Sequence, residues 1–173
     1  LFLGNTAPKK NTQAMARAYT EYCDNCEDAL PLVITDYARR HVEQLLREQN
    51  KMHLMDKFIF PGYIPIEEMP LLYHHAQVFV YPSLRESFGL PMLEAMASGV
   101  PVVASNASAI PEIAGDAALL VDPHSYKEIA QGIAKMAADE HLRAVYRQKG
   151  FERARLFSWE NSARQLLDIY NGI

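Results

Sequence analysis

Two glutamates, Glu86 and Glu94, flank the segment 88–91 (Phe-Gly-Leu-Pro) with seven residues between them. A carboxylate can accept hydrogen bonds from two hydroxyls at once, so each glutamate suits a vicinal diol. One diol can belong to a sugar ring and the other to a ribose, with phosphate groups between them. The residue types also fit a solvated Glu86 and a Glu94 that complements a helix dipole, and they leave both interpretations open.

The segment around the two glutamates is predicted to run from a strand into a helix. The apolar run 77–82 predicts the strand, and the run 90–99 predicts the helix, with Pro91 in its first turn. A helix N-terminus has unpaired N–H groups and a partial positive charge of about half a unit, which favours phosphate. Gly89 has no side chain that would block the approach of a ligand to the backbone.

The rest of the chain alternates between short apolar runs and segments with helical periodicity. Strands are predicted at residues 1–4, 31–36, 57–63, 77–82, 101–105 and 117–122. From Ser125 onward the pattern is helical, with interruptions predicted near Asp139, Gly150 and Ser158. This alternation predicts an α/β fold with a parallel sheet and a helical C-terminal tail. Such sheets bind ligands beyond the carboxyl ends of their strands.

Length and composition restrict the classes of protein that the chain can represent. Of its 173 residues, 49% are hydrophobic and 22% are charged, which predicts one globular domain over residues 1–173. The formal net charge is −4 and the basic residues are scattered, so the sequence predicts no nucleic-acid partner. No apolar run approaches the roughly 20 residues that span a bilayer.

The spacing of the two glutamates resembles the E-x7-E motif of retaining GT-B glycosyltransferases of family 4, the glycosyl transferases group 1. The similarity continues through FPGYIPIEEMPLLYHHAQVFVYPS (60–83) and GVPVVASNASAIPEIAGDAALLVDP (99–123). The segments LFLGNTAPKKN (1–11) and FSWENSARQLLDIY (157–170) resemble the same family. The resemblance covers nearly the whole chain, with its segments in the order that the family has.

The resemblance implies that residues 1–173 form the C-terminal, nucleotide-sugar-binding half of a two-domain GT-B enzyme, with a Rossmann-like parallel sheet and helices on both faces. The acceptor, a sugar or a lipid-linked sugar, would bind to an N-terminal half that this sequence does not include. We therefore expect the isolated chain to be inactive. The whole enzyme is expected in the cytoplasm, peripherally at the membrane when full-length.

The resemblance also implies roles for individual residues. Glu86 would contact the transferring sugar and Lys10 the diphosphate, with Lys9 as the weaker match for that lysine. Glu86 and Lys10 are the predicted catalytic residues. Glu94 would contact the ribose hydroxyls. Asn5 stands where the family usually has an arginine, which removes a permanent charge from the diphosphate site and puts its affinity in question. Further contacts to the donor are implied for Gly62, Tyr63, Ile64, Phe88, Gly89 and Leu90.

The reaction implied by the resemblance is transfer of a hexose from a nucleotide-diphosphate sugar with retention of configuration, as in polysaccharide biosynthesis. GDP-mannose and UDP-hexoses are the expected donors, without a cofactor. The absence of an Asp-x-Asp pair fits a reaction that needs no metal. Two alternatives stay open: a nucleotide-sugar-binding module that has lost catalysis, which Asn5 favours, and a GT-B sugar-nucleotide epimerase relative.

The last predicted helix follows Ser158, a residue typical of a helix N-cap. Trp159 is predicted to anchor this helix to the core. The apolar face of the helix is predicted to be partly bare, which favours a dimer through that face. Its residues are Ala163, Leu166, Leu167 and Tyr170.

Overall fold

The computed structural model describes residues 1–172. Its six strands are β1 (Phe2–Leu3), β2 (Leu32–Thr35), β3 (Phe58–Gly62), β4 (Phe79–Tyr81), β5 (Val102–Ser105) and β6 (Ala118–Val121). Its eight α-helices are α1 (Thr12–Asp24), α2 (Arg39–Glu48), α3 (Met69–His74), α4 (Leu90–Ala97), α5 (Ile110–Ala114), α6 (Tyr126–Ala138), α7 (Glu140–Arg155) and α8 (Trp159–Asn171). Short 3-10 helices cover Pro8–Lys10 and Met52–Lys57. None of the helices within residues 1–172 is long and apolar enough to cross a membrane.

All neighbouring strands are parallel, in two three-stranded units ordered β1-β2-β3 and β4-β5-β6. Leu1 joins the two units at their edges. Its nitrogen donates to the carbonyl of Val78 at 2.9 Å, and its carbonyl accepts from the N–H of Val80 at 3.0 Å. The spatial order is therefore β3-β2-β1-β4-β5-β6, and the predicted α/β architecture with parallel strands is confirmed.

Alternate residues of β4 enter two different hydrophobic cores because successive side chains of a strand point to opposite faces. Phe79 and Tyr81 pack with Met92 of α4 on one face. Val80 belongs to the core on the other face, which contains Met15 of α1 and residues of α6. Helices therefore cover both faces of the sheet, as the resemblance implies.

The predicted interruptions of the C-terminal helical region are correct at two of three positions. Asp139 and Ser158 are the N-caps of α7 and α8, and each side chain accepts a hydrogen bond from a backbone N–H in the first turn. The interruption near Gly150 is wrong, because Gly150 lies inside α7. A Cβ at this position would lie 3.3 Å from Cγ of Met96. The glycine therefore allows α7 to pack closely against α4.

The predicted anchoring role of Trp159 is also wrong, since its side chain is 91% exposed. No residue of α8 is buried, so Trp159 does not anchor this helix to the core. Phe157, two residues earlier, makes the contact instead, with its ring edge-on to Phe88 at 5.7 Å between ring centroids. The apolar face of α8 is bare as predicted: Leu167 is 59% and Tyr170 is 65% exposed.

Candidate functional site

The loops that follow β1 and β4 meet at one edge of the sheet. Because β1 and β4 are parallel neighbours, their carboxyl ends lie side by side, and the chain continues from them to opposite sides of the sheet. Ligands of open α/β sheets bind in the crevice that forms at such a switch point. A backbone hydrogen bond of 2.8 Å from Leu84 to the carbonyl of Lys9 joins the two loops. This bond fixes the positions of the two loops relative to each other.

Lys10 and Glu86, which are 76 residues apart in the sequence, form an ion pair in this crevice. Nζ of Lys10 lies 2.7 Å from Oε1 of Glu86, and the two side chains are only 15% and 10% exposed. Burial alone would raise the pKa of Glu86, but the hydrogen bond and charge of Lys10, together with the hydroxyls of Tyr81 and Ser83, outweigh it. The pKa of the carboxyl therefore lies below its ordinary value of 4.5, and Glu86 is ionised at neutral pH.

The backbone of Glu86 is fixed by Ser108, a residue that the sequence analysis did not identify. Oγ of Ser108 donates to the carbonyl of Glu86 at 2.7 Å and accepts from the N–H of Glu86 at 3.3 Å. Ser108 lies between β5 and α5 with a φ of 59°. Its only signal in the sequence is a polar segment after the fifth strand, which is typical of an ordinary turn.

Asn11 is a second positioning residue that the sequence analysis missed. Its Nδ2 donates to the carbonyls of Pro82, at 3.0 Å, and Pro123, at 2.7 Å. The side chain thereby joins the loops that follow β1, β4 and β6. Its φ of 59° is left-handed, a conformation that asparagine tolerates better than most residues. Asn11 directly follows Lys10, so these bonds hold the start of α1 and the backbone beside the lysine in place.

The N-terminus of α4 offers free hydrogen-bond donors to the crevice. The backbone N–H groups of Phe88, Gly89 and Leu90 donate to no other group within residues 1–172. Gly89 has a φ of 103°, which most other residues would adopt only with strain. A Cβ at this position would lie 3.6 Å from Cε1 of Tyr81, so the tyrosine ring underlies the loop. Free N–H groups at a helix N-terminus can bind an anion.

Glu94 lies on α4 with its carboxylate exposed, and Oε2 accepts a hydrogen bond of 3.0 Å from the hydroxyl of Tyr73. Burial raises the pKa of Tyr81, and the carboxylates of Glu86 and Glu94 raise it further. The charges of both motif glutamates therefore act on one buried tyrosine. The structure brings Lys10 and Glu86 into contact, and Glu94 lies on the helix that begins four residues after Glu86.

Two buried hydroxyls near the carboxylate of Glu86 lack a hydrogen-bond partner among the described residues: those of Tyr81 and Ser83. Tyr81 is 1% exposed and Ser83 is completely buried. Buried polar groups in folded proteins usually have a partner, so each exception calls for an explanation. Both hydroxyls act on the Glu86 carboxylate, since they help to lower its pKa.

The remaining predicted residues lie farther along the same edge of the sheet. Gly62 is the last residue of β3, and Tyr63 and Ile64 follow it. β3 is separated from β1 by β2. Gly62 has a φ of 81° with open space around its Cβ position, and Tyr63 is 75% exposed. Within the described residues no side-chain hydrogen bond links this segment to Lys10 or Glu86. The surface is open for a flat group to lie against the backbone.

Asn5 supports its own loop rather than the ion pair. Its Oδ1 accepts from the N–H of Ala7 at 2.9 Å. Asn5 also lines a cavity of about 550 Å³ between the β1–α1 loop, α1 and α2, together with Tyr37 and His41. In residues 1–172, no group of three or more His, Cys, Asp and Glu side chains is placed to hold a metal ion.

Comparison with known proteins gives a matching family and a curated relative. Residues 1–153 match the family described as glycosyl transferases group 1. The chain is 37% identical over 171 residues to O-antigen chain mannosyltransferase B of Escherichia coli, an alignment that covers 98% of this chain and 45% of the relative. The chain thus spans less than half the length of this curated relative.

Solved structures share the fold. The C-terminal domain of a glycosyl transferase group 1 family protein from Francisella tularensis superposes with a TM-score of 0.75 at 29% identity, over 89% of this chain and 82% of that one. HepE of Anabaena, in complex with UDP, superposes with a TM-score of 0.83 over 99% of this chain and 48% of that one. Its identity of 20% establishes a likeness of fold alone.

Proposed function

This chain belongs to the glycosyl transferases group 1 family, and from that membership we propose that it supplies the donor site of a retaining hexosyltransferase. The predictions of the family and of its Rossmann-like fold are confirmed. The observation that carries the proposal is the Lys10–Glu86 pair beside the free N–H groups of residues 88–90. A cation and backbone donors suit a diphosphate, and the two carboxylates suit the sugar and ribose hydroxyls.

In the proposed reaction, the donor's diphosphate binds to Lys10 and to the N–H groups at the start of α4. Lys10 exchanges the carboxylate of Glu86 for a phosphate oxygen, which frees Glu86 to accept hydroxyls of the transferring sugar. The bond between the anomeric carbon and the phosphate oxygen then breaks, and the acceptor oxygen bonds to the same face of the sugar. The acceptor's proton passes to the departing phosphate oxygen. Lys10 and the helix N-terminus stabilise the charge that develops there.

The proposal for the donor is GDP-mannose or a UDP-hexose, without a metal. A mannosyltransferase is among the relatives, and a structure of the same fold holds UDP, so GDP and UDP are the first probes. We propose further that a sugar or lipid-linked acceptor binds outside this chain, in the cytoplasm or at a membrane surface facing it. The isolated chain should then transfer no sugar, and turnover with a saccharide acceptor would contradict this part.

A second candidate is a binding module that keeps the nucleotide sugar but no longer transfers it. The hydrogen bond from the N–H of Ala7 to Oδ1 of Asn5 favours this candidate, because it commits that oxygen to the loop. Asn5 also supplies no positive charge for the diphosphate, as an arginine would. Transfer by a longer protein that contains this chain would exclude it.

Calorimetric titration of the chain with GDP, UDP, ADP and their sugar conjugates tests the proposed function. We expect one nucleotide to bind selectively and Glu94→Ala to weaken its binding by about tenfold. Hydrogen bonds to a charged group contribute about 1.5–3 kcal/mol, and the low end of this range applies because Glu94 is exposed to water. Glu112→Ala is the matched control, since Glu112 is an exposed glutamate on α5. If no nucleotide binds at millimolar concentration, the proposed function is wrong.

We also propose that the bare apolar face of α8 pairs with a second copy of this chain. Leu166, Leu167 and Tyr170 are 50–65% exposed on this face. Leu167→Asp is expected to convert a dimer into a monomer in sedimentation experiments, whereas Gln165→Asp, a change to the same residue on the opposite, exposed side of the helix, should not. A wild-type chain that stays monomeric at high concentration would disprove the pairing.

A further inference from the structure

Tyr73 connects the hydrophobic core to the exposed carboxylate of Glu94. Its side chain is only 1% exposed and belongs to the core beneath α4. Its hydroxyl nevertheless reaches Oε2 of Glu94 at 3.0 Å. The exposed Glu94 is thus held by Tyr73, whose ring is buried and out of reach of a ligand.

The position of this hydroxyl is set by the strand that leads into the site. The ring of Tyr73 packs edge-on against Phe79, with centroids 5.5 Å apart and an angle of 82° between the rings. Phe79 in turn stacks on Tyr81 at 5.8 Å and 24°. Edge-to-face and offset stacked rings are favourable and restrict rotation. The three aromatic residues therefore fix the hydroxyl of Tyr73 relative to the loop that carries Glu86.

Glu94 has no other strong restraint in the described part of the chain. It forms no ion pair there, and Tyr73 provides the only side-chain hydrogen bond to its carboxylate. A glutamate side chain that is free to rotate loses conformational entropy when a ligand orders it. The bond from Tyr73 imposes part of that order before a ligand arrives, which is the general route by which preorganisation raises affinity.

The bond leaves enough of the carboxylate for a ligand. An ionised carboxylate has about four lone-pair positions, and Tyr73 occupies one of them on Oε2. Both lone pairs of Oε1 and one of Oε2 stay available. Two neighbouring hydroxyls of a ribose can therefore bind while the bond to Tyr73 is kept.

We propose that Tyr73 is a positioning residue, whose hydroxyl holds the Glu94 carboxylate in the orientation that accepts the two ribose hydroxyls of a nucleoside diphosphate. This inference rests on the proposed function, because it assigns the ribose to Glu94. Tyr73 itself does not touch the ligand and acts through Glu94 alone. The E-x7-E motif does not include Tyr73, which precedes Glu86 by 13 positions.

The test compares Tyr73→Phe with wild type in titrations with UDP, GDP and their 2′,3′-dideoxy counterparts. We expect Tyr73→Phe to weaken binding of the ribose form of the bound nucleotide by about fivefold, the usual effect of one hydrogen bond. Binding of the dideoxy form should not change, because that ligand has no hydroxyls for Glu94. A general loss of structure would weaken both forms alike.

Tyr19→Phe is the matched control for loss of a buried hydroxyl. Tyr19 is 2% exposed, and its hydroxyl lies 2.8 and 3.1 Å from the carbonyl oxygens of Leu30 and Lys57, which share its one proton, in the core on the other face of the sheet. We expect it to lower stability without affecting the affinity for either nucleotide form. An equal loss of ribose affinity in Tyr19→Phe and Tyr73→Phe would overturn the proposal.

The outcomes separate this inference from the function on which it rests. If wild type binds a nucleotide and Glu94→Ala weakens it, but Tyr73→Phe binds as wild type, only the role of Tyr73 is wrong. If wild type binds none of the nucleotides, the proposed function fails and the inference fails with it. A fivefold loss that is confined to the ribose form supports both.

Discussion

Replacement of Lys10 by methionine is expected to weaken binding of UDP or GDP by about 100-fold. Methionine keeps most of the length of the lysine side chain but has no charge. A hydrogen bond to a charged group contributes about 1.5–3 kcal/mol, and each 1.4 kcal/mol is a factor of ten. The substitution also leaves the carboxylate of Glu86, which is only 10% exposed, without its cation. That carboxylate would then repel the phosphates directly.

Lys9→Met is the control for the Lys10 experiment, because Lys9 is the exposed neighbour in the same 3-10 helix and forms no ion pair among the described residues. It should bind the nucleotides almost as wild type does. Uridine and guanosine, which have no phosphate, should bind equally to wild type and to Lys10→Met. The role of Lys10 would be refuted by a folded Lys10→Met variant with wild-type affinity, or by a larger loss in Lys9→Met.

Glu86→Gln is expected to remove the preference of the chain for a nucleotide sugar over the free nucleoside diphosphate. A carboxylate that accepts two sugar hydroxyls forms two charge-assisted bonds, so the affinity for the sugar conjugate should fall by about 100-fold. The affinity for the free diphosphate should hold or rise, because Lys10 no longer has to leave an ionised partner. The measurement is the ratio of the two dissociation constants in wild type and variant.

Glu112→Gln provides the comparison for Glu86→Gln, as an exposed glutamate with no ion pair in the described part of the chain. Its ratio of dissociation constants should equal that of wild type. A Glu86→Gln variant that still prefers the sugar conjugate would mean that Glu86 contacts no sugar, and that its bond to Lys10 has only a structural role.

Local patterns in the sequence were sufficient for the strands and for the type of fold. Each strand is a short apolar run, and segments with helical periodicity lie between these runs. Parallel strands require such helical connections. The misplaced interruption at Gly150 has a different origin. Glycine weakens a helix locally, but at Gly150 the close packing against Met96 of α4 compensates for that loss of helix stability. A contact between helices that are distant in the sequence leaves no local pattern. Trp159 was misjudged for the same reason, since only the folded structure shows that Phe157 makes the contact.

The candidate site was predictable only as separate residues. Lys10, Glu86 and Glu94 were identified from the motif and its resemblance, but their arrangement depends on β1 lying beside β4. The residues that position them leave weaker signals. Asn11 bonds to two loops that are 71 and 112 residues away, and Tyr73 reaches Glu94 from the core. Neither partner can be inferred from spacing.

The most direct test of the central claim is a crystal structure of the chain with the nucleoside diphosphate that binds best in the titrations. The account predicts a phosphate oxygen within hydrogen-bonding distance of Nζ of Lys10, the ribose hydroxyls at Glu94, and the N–H groups of residues 88–90 facing the phosphates. A nucleotide in the cavity beside Asn5, Tyr37 and His41, with the Lys10–Glu86 bond of 2.7 Å intact, would contradict it.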